Sequence, residues 1–319
     1  MISFIVIGRN EEKNLKRCFE SIYSTIEFNK INDYEIVYVD SKSTDSSIKI
    51  AHSFKGIKVF LISGYCNAAV GRNIGAKESN GNILFFIDGD MEIEKKFLSY
   101  ILDQKMNLKY KFVSGQVLDI IEGIPDKFHY PIKNDPSAAF SQLVPGGIFI
   151  INREDWESVN GMNTKFNTGE DSDLGYRLLK KGFAFIRKEE IITRHYTYQN
   201  QDISRKWKAI FSKAAFYPRC IIYRDHFTNR YMYYAIWALD KTFILLIVSI
   251  TLMFLFPTTI PFLVTLYLLS ISLRSIKQVK DFSVFQYIFY YIVFDFLNLI
   301  FLFTFFPKNK KLEYVKNLP

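Results

Sequence analysis

Residues 83–90 read ILFFIDGD: five consecutive apolar side chains run straight into two carboxylates, Asp88 and Asp90, separated by one glycine. A short apolar run bounded by Ser79, Asn80 and Gly81 before it and Gly89 after it fits a strand buried on both faces, as in a parallel sheet covered by helices. Ligands of such sheets bind at the carboxyl ends of the strands. Residues i and i+2 of an extended chain point the same way, so Asp88 and Asp90 can face one cation. A hard divalent ion takes oxygen ligands and often keeps one or two carboxylates, filling its other positions with water and substrate phosphate. An Asp-Gly turn leaving a strand is the simpler alternative.

Outward from this strand, the same pattern repeats. Ile2–Ile7 reads as a buried strand, followed by Gly8-Arg9-Asn10-Glu11-Glu12 and a helix with Leu15, Cys18, Phe19 and Ile22 at helical spacing. Tyr34–Val39 is a second strand ending in Asp40, placed where an acid accepts a hydrogen bond from a nucleotide's base or ribose; Ser43-Thr44-Asp45 supply helix caps. Val59–Ile62 is a third strand. Ala68–Lys77 is a helix whose Gly71, Gly75 and Ala76 allow close packing on a sheet, and Arg72 on it could reach a phosphate. Four strand-helix alternations predict a doubly wound α/β sheet.

Further on, a helix is expected over Phe97–Met106, a strand near Phe112–Val117, a glycine turn at Gly146-Gly147 leading into a strand that ends at Ile151, and a short helix over Arg153–Val159. Residues 169–182, GEDSDLGYRLLKKG, carry helix start and stop signals. Acids in a first turn offset the helix dipole by about 0.3–1 kcal/mol. Glu170, Asp171 and Asp173 exceed that need, and a carboxylate there could act as general base.

The second half differs in kind. Residues 242–273 carry no charge and residues 282–307 only Asp295, which places this half in a bilayer as two to three transmembrane helices. Pro257 and Pro261 break the longer run into a hairpin. With the catalytic half cytoplasmic, two spans return Arg274, Lys277 and Lys280 to the cytoplasm, while a third would put Lys308, Lys310 and Lys311 outside, against the charge rule. Residues 205–234 hold seven Lys or Arg against one Asp, two-thirds of the net charge of +9, directly before the apolar runs. That placement favours membrane lipids over nucleic acid as the partner. Within it, Trp207, Ile210, Phe211 and Ala214 at helical spacing, with Lys206, Lys208 and Lys213 around them, predict a basic amphipathic interfacial helix. Three scattered cysteines, Cys18, Cys66 and Cys220, read as free thiols.

With these pieces placed, residues 2–180 resemble a family 2 glycosyltransferase of the GT-A fold. IVIGRNEE (Ile5–Glu12) resembles the family's first strand and nucleotide-contacting loop, which brings in Asn10 and Glu12; VDSKSTD (Val39–Asp45) resembles its nucleoside-binding turn, with Ser41 where many members carry a second acid. Asp88-Gly89-Asp90 matches the DxD motif, Gly146-Gly147 through Gly161 the acceptor-side segment, and Glu170-Asp171 the ED motif. The resemblance implies a GT-A, Rossmann-like sheet, assigned to residues 1–204; composition and charge set off the basic segment 205–234 and a membrane domain over 235–319. It implies a UDP- or GDP-sugar donor, Mg²⁺ or Mn²⁺ on Asp90 and Asp88, Glu170 and Arg72 on the donor side, Asp171 as base, inversion at the anomeric carbon, and a lipid-linked or membrane-proximal acceptor in surface glycan assembly at the cell membrane. His195, in RHYTY, is a further candidate for metal or phosphate. A nucleotidyltransferase would need the metal but not an acceptor base, and a non-catalytic membrane scaffold would need none of the acids.

Overall fold

The computed structural model describes residues 1–128, 144–197, 203–211, 217–277 and 283–317. The chain forms two units, Met1–Gln199 with Lys308–Pro319, and Asn200–Pro307.

The first unit is built in the expected alternation: β1 (Ile2–Gly8), α1 (Leu15–Phe28), β2 (Tyr34–Asp40), α2 (Ser47–Ser53), β3 (Ile57–Ile62), α3 (Ala68–Glu78) and β4 (Ile83–Asp88). There follow β5 (Met91–Ile93), α4 (Phe97–Ile101), β6 (Phe112–Ile121), β7 (Ile124–Phe128), β8 (Phe149–Asn152), α5 (Arg153–Ser158), α6 (Glu170–Lys180), β9 (Phe185–Thr197) and, after the second unit, β10 (Tyr314–Asn317). They make one ten-stranded sheet in the order β10-β3-β2-β1-β4-β8-β6-β9-β5, with β7 on β6. The strands β3, β2, β1 and β4 run parallel, and β8 is antiparallel to β4.

Alternate residues of β1 serve two cores. Phe4 and Val6 pack with Leu15, Phe19 and Ile22 of α1 on one face; Ile5 and Ile7 pack with the α3, α5 and α6 side. Both faces are covered, so the strands are apolar throughout. Helix α3 lies so close that a Cβ on Gly75 would stand 2.2 Å from Ile5 Cγ2. The helix expected to reach Met106 stops at Ile101, because Asp103 Oδ1 accepts from the N–H groups of Lys105 and Asn107 at 2.8 and 2.9 Å and closes a turn instead.

The second unit holds α7 (Ile203–Phe211), α8 (Tyr217–Asp225), α9 (Arg230–Leu239), α10 (Lys241–Leu255), α11 (Ile260–Ile276) and α12 (Val284–Thr304). The uncharged run breaks at Pro257, as its prolines predict. Two segments, Pro257–Ile276 and Val284–Thr304, are long and apolar enough to cross a membrane; Lys241–Leu255 is shorter. Asp295 and Asn298 are buried inside the unit, and the Tyr267 hydroxyl donates to Asp295 at 3.3 Å.

Two expectations change here. Part of the apolar face of α7 is covered by protein: Trp207 packs on Phe289 and Tyr290 of α12 with ring centroids 5.6 Å apart and Ile210 is buried in the same cluster, whereas Phe211 stays 78% exposed. Lys213 and Ala214 lie outside the described residues. The expected membrane half ran to the last residue, whereas Tyr314–Asn317 pairs antiparallel with β3 at the edge of the first unit's sheet.

Candidate active site

The order of the sheet reverses at β1, whose neighbours are β2 and β4, and a crevice opens at the carboxyl ends of these strands. Register places Gly8 opposite Asp40 and Ile7 opposite Asp88, so both acids arrive at the same rim. Asp40 is buried, with both oxygens engaged: the Tyr38 hydroxyl donates to Oδ2 at 3.0 Å and the Ser43 N–H to Oδ1 at 2.8 Å. Asn10 and Glu12 knit the loop after β1 to the loop after β2. Asn10 Oδ1 accepts from the Thr44 N–H at 2.8 Å, and Glu12 Oε2 accepts from the Ser46 N–H at 3.1 Å. All three residues thus hydrogen-bond the loops that form the rim.

Glu11, which lies between them, faces the site instead. It lines a cavity of about 320 Å³ with Gly8, Arg9, Asn67, Asp88 and Asp90. Burial, with Asp90 and Asp88 close by, pushes its carboxyl up to about 7. Asp90 is held from the other side by His195, whose Nε2 is 3.3 Å from Asp90 Oδ2 and whose Nδ1 is 2.9 Å from Asp119 Oδ1. Burial opposes the charge on His195, yet the two aspartates win and raise it to about 9.

The donor set fits a divalent cation that a substrate helps to hold. Asp90 Oδ1 is buried without a hydrogen-bond partner among the described residues, a costly state for a carboxylate oxygen unless something positive meets it. No cluster of three or more His, Cys, Asp or Glu side chains forms a ready cage among the described residues. A site with one or two carboxylates completed by water and diphosphate oxygens needs no such cage. Gly147 is required beside it, since a Cβ there would stand 2.0 Å from Asp88 Oδ2.

Arg72 is the centre of the arrangement. It is buried, and its fork spans two motifs, with Nη2 donating to Asp88 Oδ1 and Nη1 to Glu170 Oε1, each at 2.8 Å. Its fork forms an internal bridge, as a buried guanidinium takes the carboxylates that flank it. Burial works against its charge, but Asp88, Glu170 and Asp171 hold it firmly protonated. Glu170 is likewise buried; burial and neighbouring Asp171 push its carboxyl up, and Arg72 works against them. Its place is behind the site.

Asp171 is the more open acid of the pair, with Oδ1 accepting from the Ser172 N–H at 2.8 Å. The third acid is structural: Asp173 binds Arg177 Nε at 2.8 Å and Asn163 Nδ2 at 2.8 Å, and Arg177 reaches the Gly161 carbonyl at 2.7 Å. Sequence reasoning passed over Glu11 and Asp119. The run of three polar residues at 10–12 was the available signal for Glu11; Asp119 carries none, because only the β6–β9 register brings it opposite His195.

Comparison with known proteins bears on the family. Residues 3–162 match the model of glycosyl transferase family 2, and residues 133–201 that of the N-terminal domain of galactosyltransferase. The chain is 24% identical over 298 residues to the dolichyl N-acetyl-alpha-D-glucosaminyl phosphate 3-beta-D-2,3-diacetamido-2,3-dideoxy-beta-D-glucuronosyltransferase of Methanococcus voltae, covering 86% of this chain and 87% of that one. Among solved structures, the mannosyltransferase PcManGT from Pyrobaculum calidifontis, in complex with GDP-Man and Mn²⁺, matches 93% of this chain and 86% of its own with TM-score 0.59 and 14% identity. Residues 1–349 of S. aureus TarS in complex with UDP-GlcNAc match 70% of this chain and 66% of that one, with TM-score 0.51 and 17% identity. The likeness in structure carries the fold, and the match over residues 3–162, from the first strand through both rim carboxylates to Gly146-Gly147, carries the family: the chain belongs to glycosyl transferase family 2, an inverting family whose members use nucleotide sugars.

Proposed function

We propose that this glycosyltransferase moves a hexose-type sugar from a UDP- or GDP-sugar to a lipid-linked or membrane-proximal acceptor in surface glycan assembly, with Mg²⁺ or Mn²⁺ at Asp90 and Asp88. The observation that carries the reading is the Arg72 bridge, which ties the strand end bearing Asp88 to the helix start bearing Asp171. Donor and acceptor machinery are thus locked together. A relative named for a dolichyl phosphate-linked sugar supports the acceptor class, and a neighbour holding GDP-Man with Mn²⁺ supports the donor and the ion.

When bound, the cation supplies charge neutralisation for the departing diphosphate, a contribution worth about several kcal/mol. Asp171 takes the proton of the acceptor hydroxyl as that oxygen bonds to the anomeric carbon and the bond to the diphosphate breaks. Attack from the face opposite the leaving group inverts the carbon. Asp119 and His195 orient Asp90, and Glu11 closes the cavity beside it.

A nucleotide-sugar panel with Mg²⁺ or Mn²⁺ tests the reaction: nucleoside diphosphate is the expected product, and pyrophosphate would point to nucleotidyl transfer. In the same assay Asp90→Asn keeps the size and removes the charge. Activity should fall on the order of a hundredfold or more, together with metal-dependent donor binding. Undiminished donor binding would count against the metal role.

The catalytic unit is placed on the cytoplasmic face of the cell membrane in this reading. The chain leaves that unit after Gln199 and is back in its sheet at Tyr314, and a sheet cannot straddle a bilayer. In this reading the number of crossings between is even, and Lys308, Lys310 and Lys311 stay on the catalytic side, in line with the charge rule. A single cysteine placed at Lys308 in a cysteine-free variant should react with an impermeant maleimide only when the cytoplasmic face is opened. Labelling of sealed cells would overturn the topology.

A further inference from the structure

Residues 308–317 return to the catalytic unit, where the transfer chemistry gives them no task. Part of this tail is a sheet edge: Tyr314 to Asn317 pair with Ile62 to Val59, and Leu312 and Tyr314 pack on the core beside Phe60 and Ile62. Blunting an exposed edge is a sufficient reason for that strand. It does not explain the residues before it. Thr164, buried at 5% exposure, donates its hydroxyl to the Lys310 carbonyl at 2.9 Å and accepts from the Lys310 N–H at 2.7 Å; the Lys165 N–H donates to Asn309 Oδ1 at 3.0 Å. These bonds lie outside the ladder. They fall on the loop between Gly161 and Glu170.

That loop is held from its other side by α3. Asn67, the cap of α3, donates to the carbonyls of Thr164 and Phe166 at 2.9 and 2.8 Å, and Asn73 exchanges bonds of 2.7 and 2.9 Å with the Met162 backbone. Tyr65 extends the grip: its hydroxyl donates to Asn167 at 2.6 Å while Lys310 Nζ stands 4.9 Å from its ring centroid. The loop therefore lies between α3 and the tail, and leads directly into Glu170 and Asp171.

We propose that the tail is a positioning strap: by gripping Thr164 and Lys165 it fixes the acceptor-side loop ahead of Asp171, and so governs acceptor use while leaving the donor site alone. This rests on the reading of Asp171 as the acceptor base. Because the strap is the continuation of the chain beyond Val284–Thr304, the segment that grips this loop by hydrogen bonds is covalently continuous with the last apolar helix.

The test compares Thr164→Val/Asn309→Ala, which removes all three bonds, with Thr164→Ser, which keeps the hydroxyl. The full-length protein in detergent micelles is assayed with a polyprenyl phosphate-linked monosaccharide as acceptor, and hydrolysis of the same donor by water serves as comparator. In the double variant the acceptor KM should rise about tenfold, with amide exchange over residues 163–173 faster by a similar factor. Donor hydrolysis and the affinity for UDP or GDP with Mn²⁺ should stay within about twofold, and Thr164→Ser should restore both altered values. Unchanged KM and exchange would overturn the strap. So would a fall in donor affinity and hydrolysis in step with transfer, or Thr164→Ser behaving like the double variant. Wild-type protein that transfers to nothing would sink the acceptor reading, and the exchange measurement would then decide the strap alone.

Discussion

The Asp171→Asn protein is expected to lose transfer by about 10²- to 10⁴-fold while donor affinity stays within about a few fold. The expectation follows from where each acid of the pair sits. Glu170 is buried and bound to Arg72, so its carboxylate is committed to the interior. Asp171, one residue on, is half-exposed, and both bonds from Ser172 fall on Oδ1, which leaves Oδ2 to meet an acceptor hydroxyl. Asparagine keeps the shape and accepts the same backbone N–H but cannot take a proton. Because the base acts on the acceptor only in the transition state, the loss belongs in turnover. Isothermal titration with the nucleoside diphosphate and steady-state kinetics separate the two quantities. A variant that turns over normally at saturation and binds the donor poorly would move Asp171 to the donor side.

How much of this was legible depended on how local each cause is. The strand Ile83–Asp88 and the first turn of α6 were readable, since each is set by residues within about a dozen positions, and the small residues of α3 announced close packing without naming Ile5 as its partner. The choice among Asn10, Glu11 and Glu12 was not. Asn10 takes a left-handed φ of 58°, which turns the chain so that its neighbours on either side of Glu11 tie the two loops together and Glu11 looks into the cavity. Sequence spacing cannot announce that turn. His195 is a different case: its chemistry was readable, but its partners Asp90, just before β5, and Asp119, within β6, lie 105 and 76 positions away and meet it only through sheet register. The tail strand was hidden by its context, because a four-residue segment following a long apolar helix carries too little alternation to declare a partner across the chain.

Replacing Arg72 by Met is expected to cost about 3–5 kcal/mol of stability, because it leaves two carboxylates facing each other across a buried gap. Arg72 is 3% exposed in its side chain and Glu170 10%, so water cannot take over the bond to Glu170, while Asp88, at 31%, regains water in part and keeps the loss toward the lower end. Thermal melting should also show a dependence on pH with a definite sign. The Glu170 carboxyl is already pushed up in the folded protein by burial and Asp171, and Arg72 is what works against that rise. Without the guanidinium it goes higher. A carboxyl that holds its proton more tightly when folded than when unfolded stabilises the fold below its unfolded value, and that stability is lost as pH climbs through the folded one. The deficit of Arg72→Met should therefore be smallest near pH 5 and widen toward pH 8. Adding Glu170→Gln removes one of the stranded charges, so the double variant should melt above Arg72→Met and lose most of the pH dependence. Lysine at position 72 should not rescue transfer, since one ammonium cannot reproduce a planar fork that bonds Asp88 and Glu170 in two directions. Wild-type melting in Arg72→Met, or no relief from Glu170→Gln, would mean that the two motifs are held together by packing and that the ion bridge is incidental.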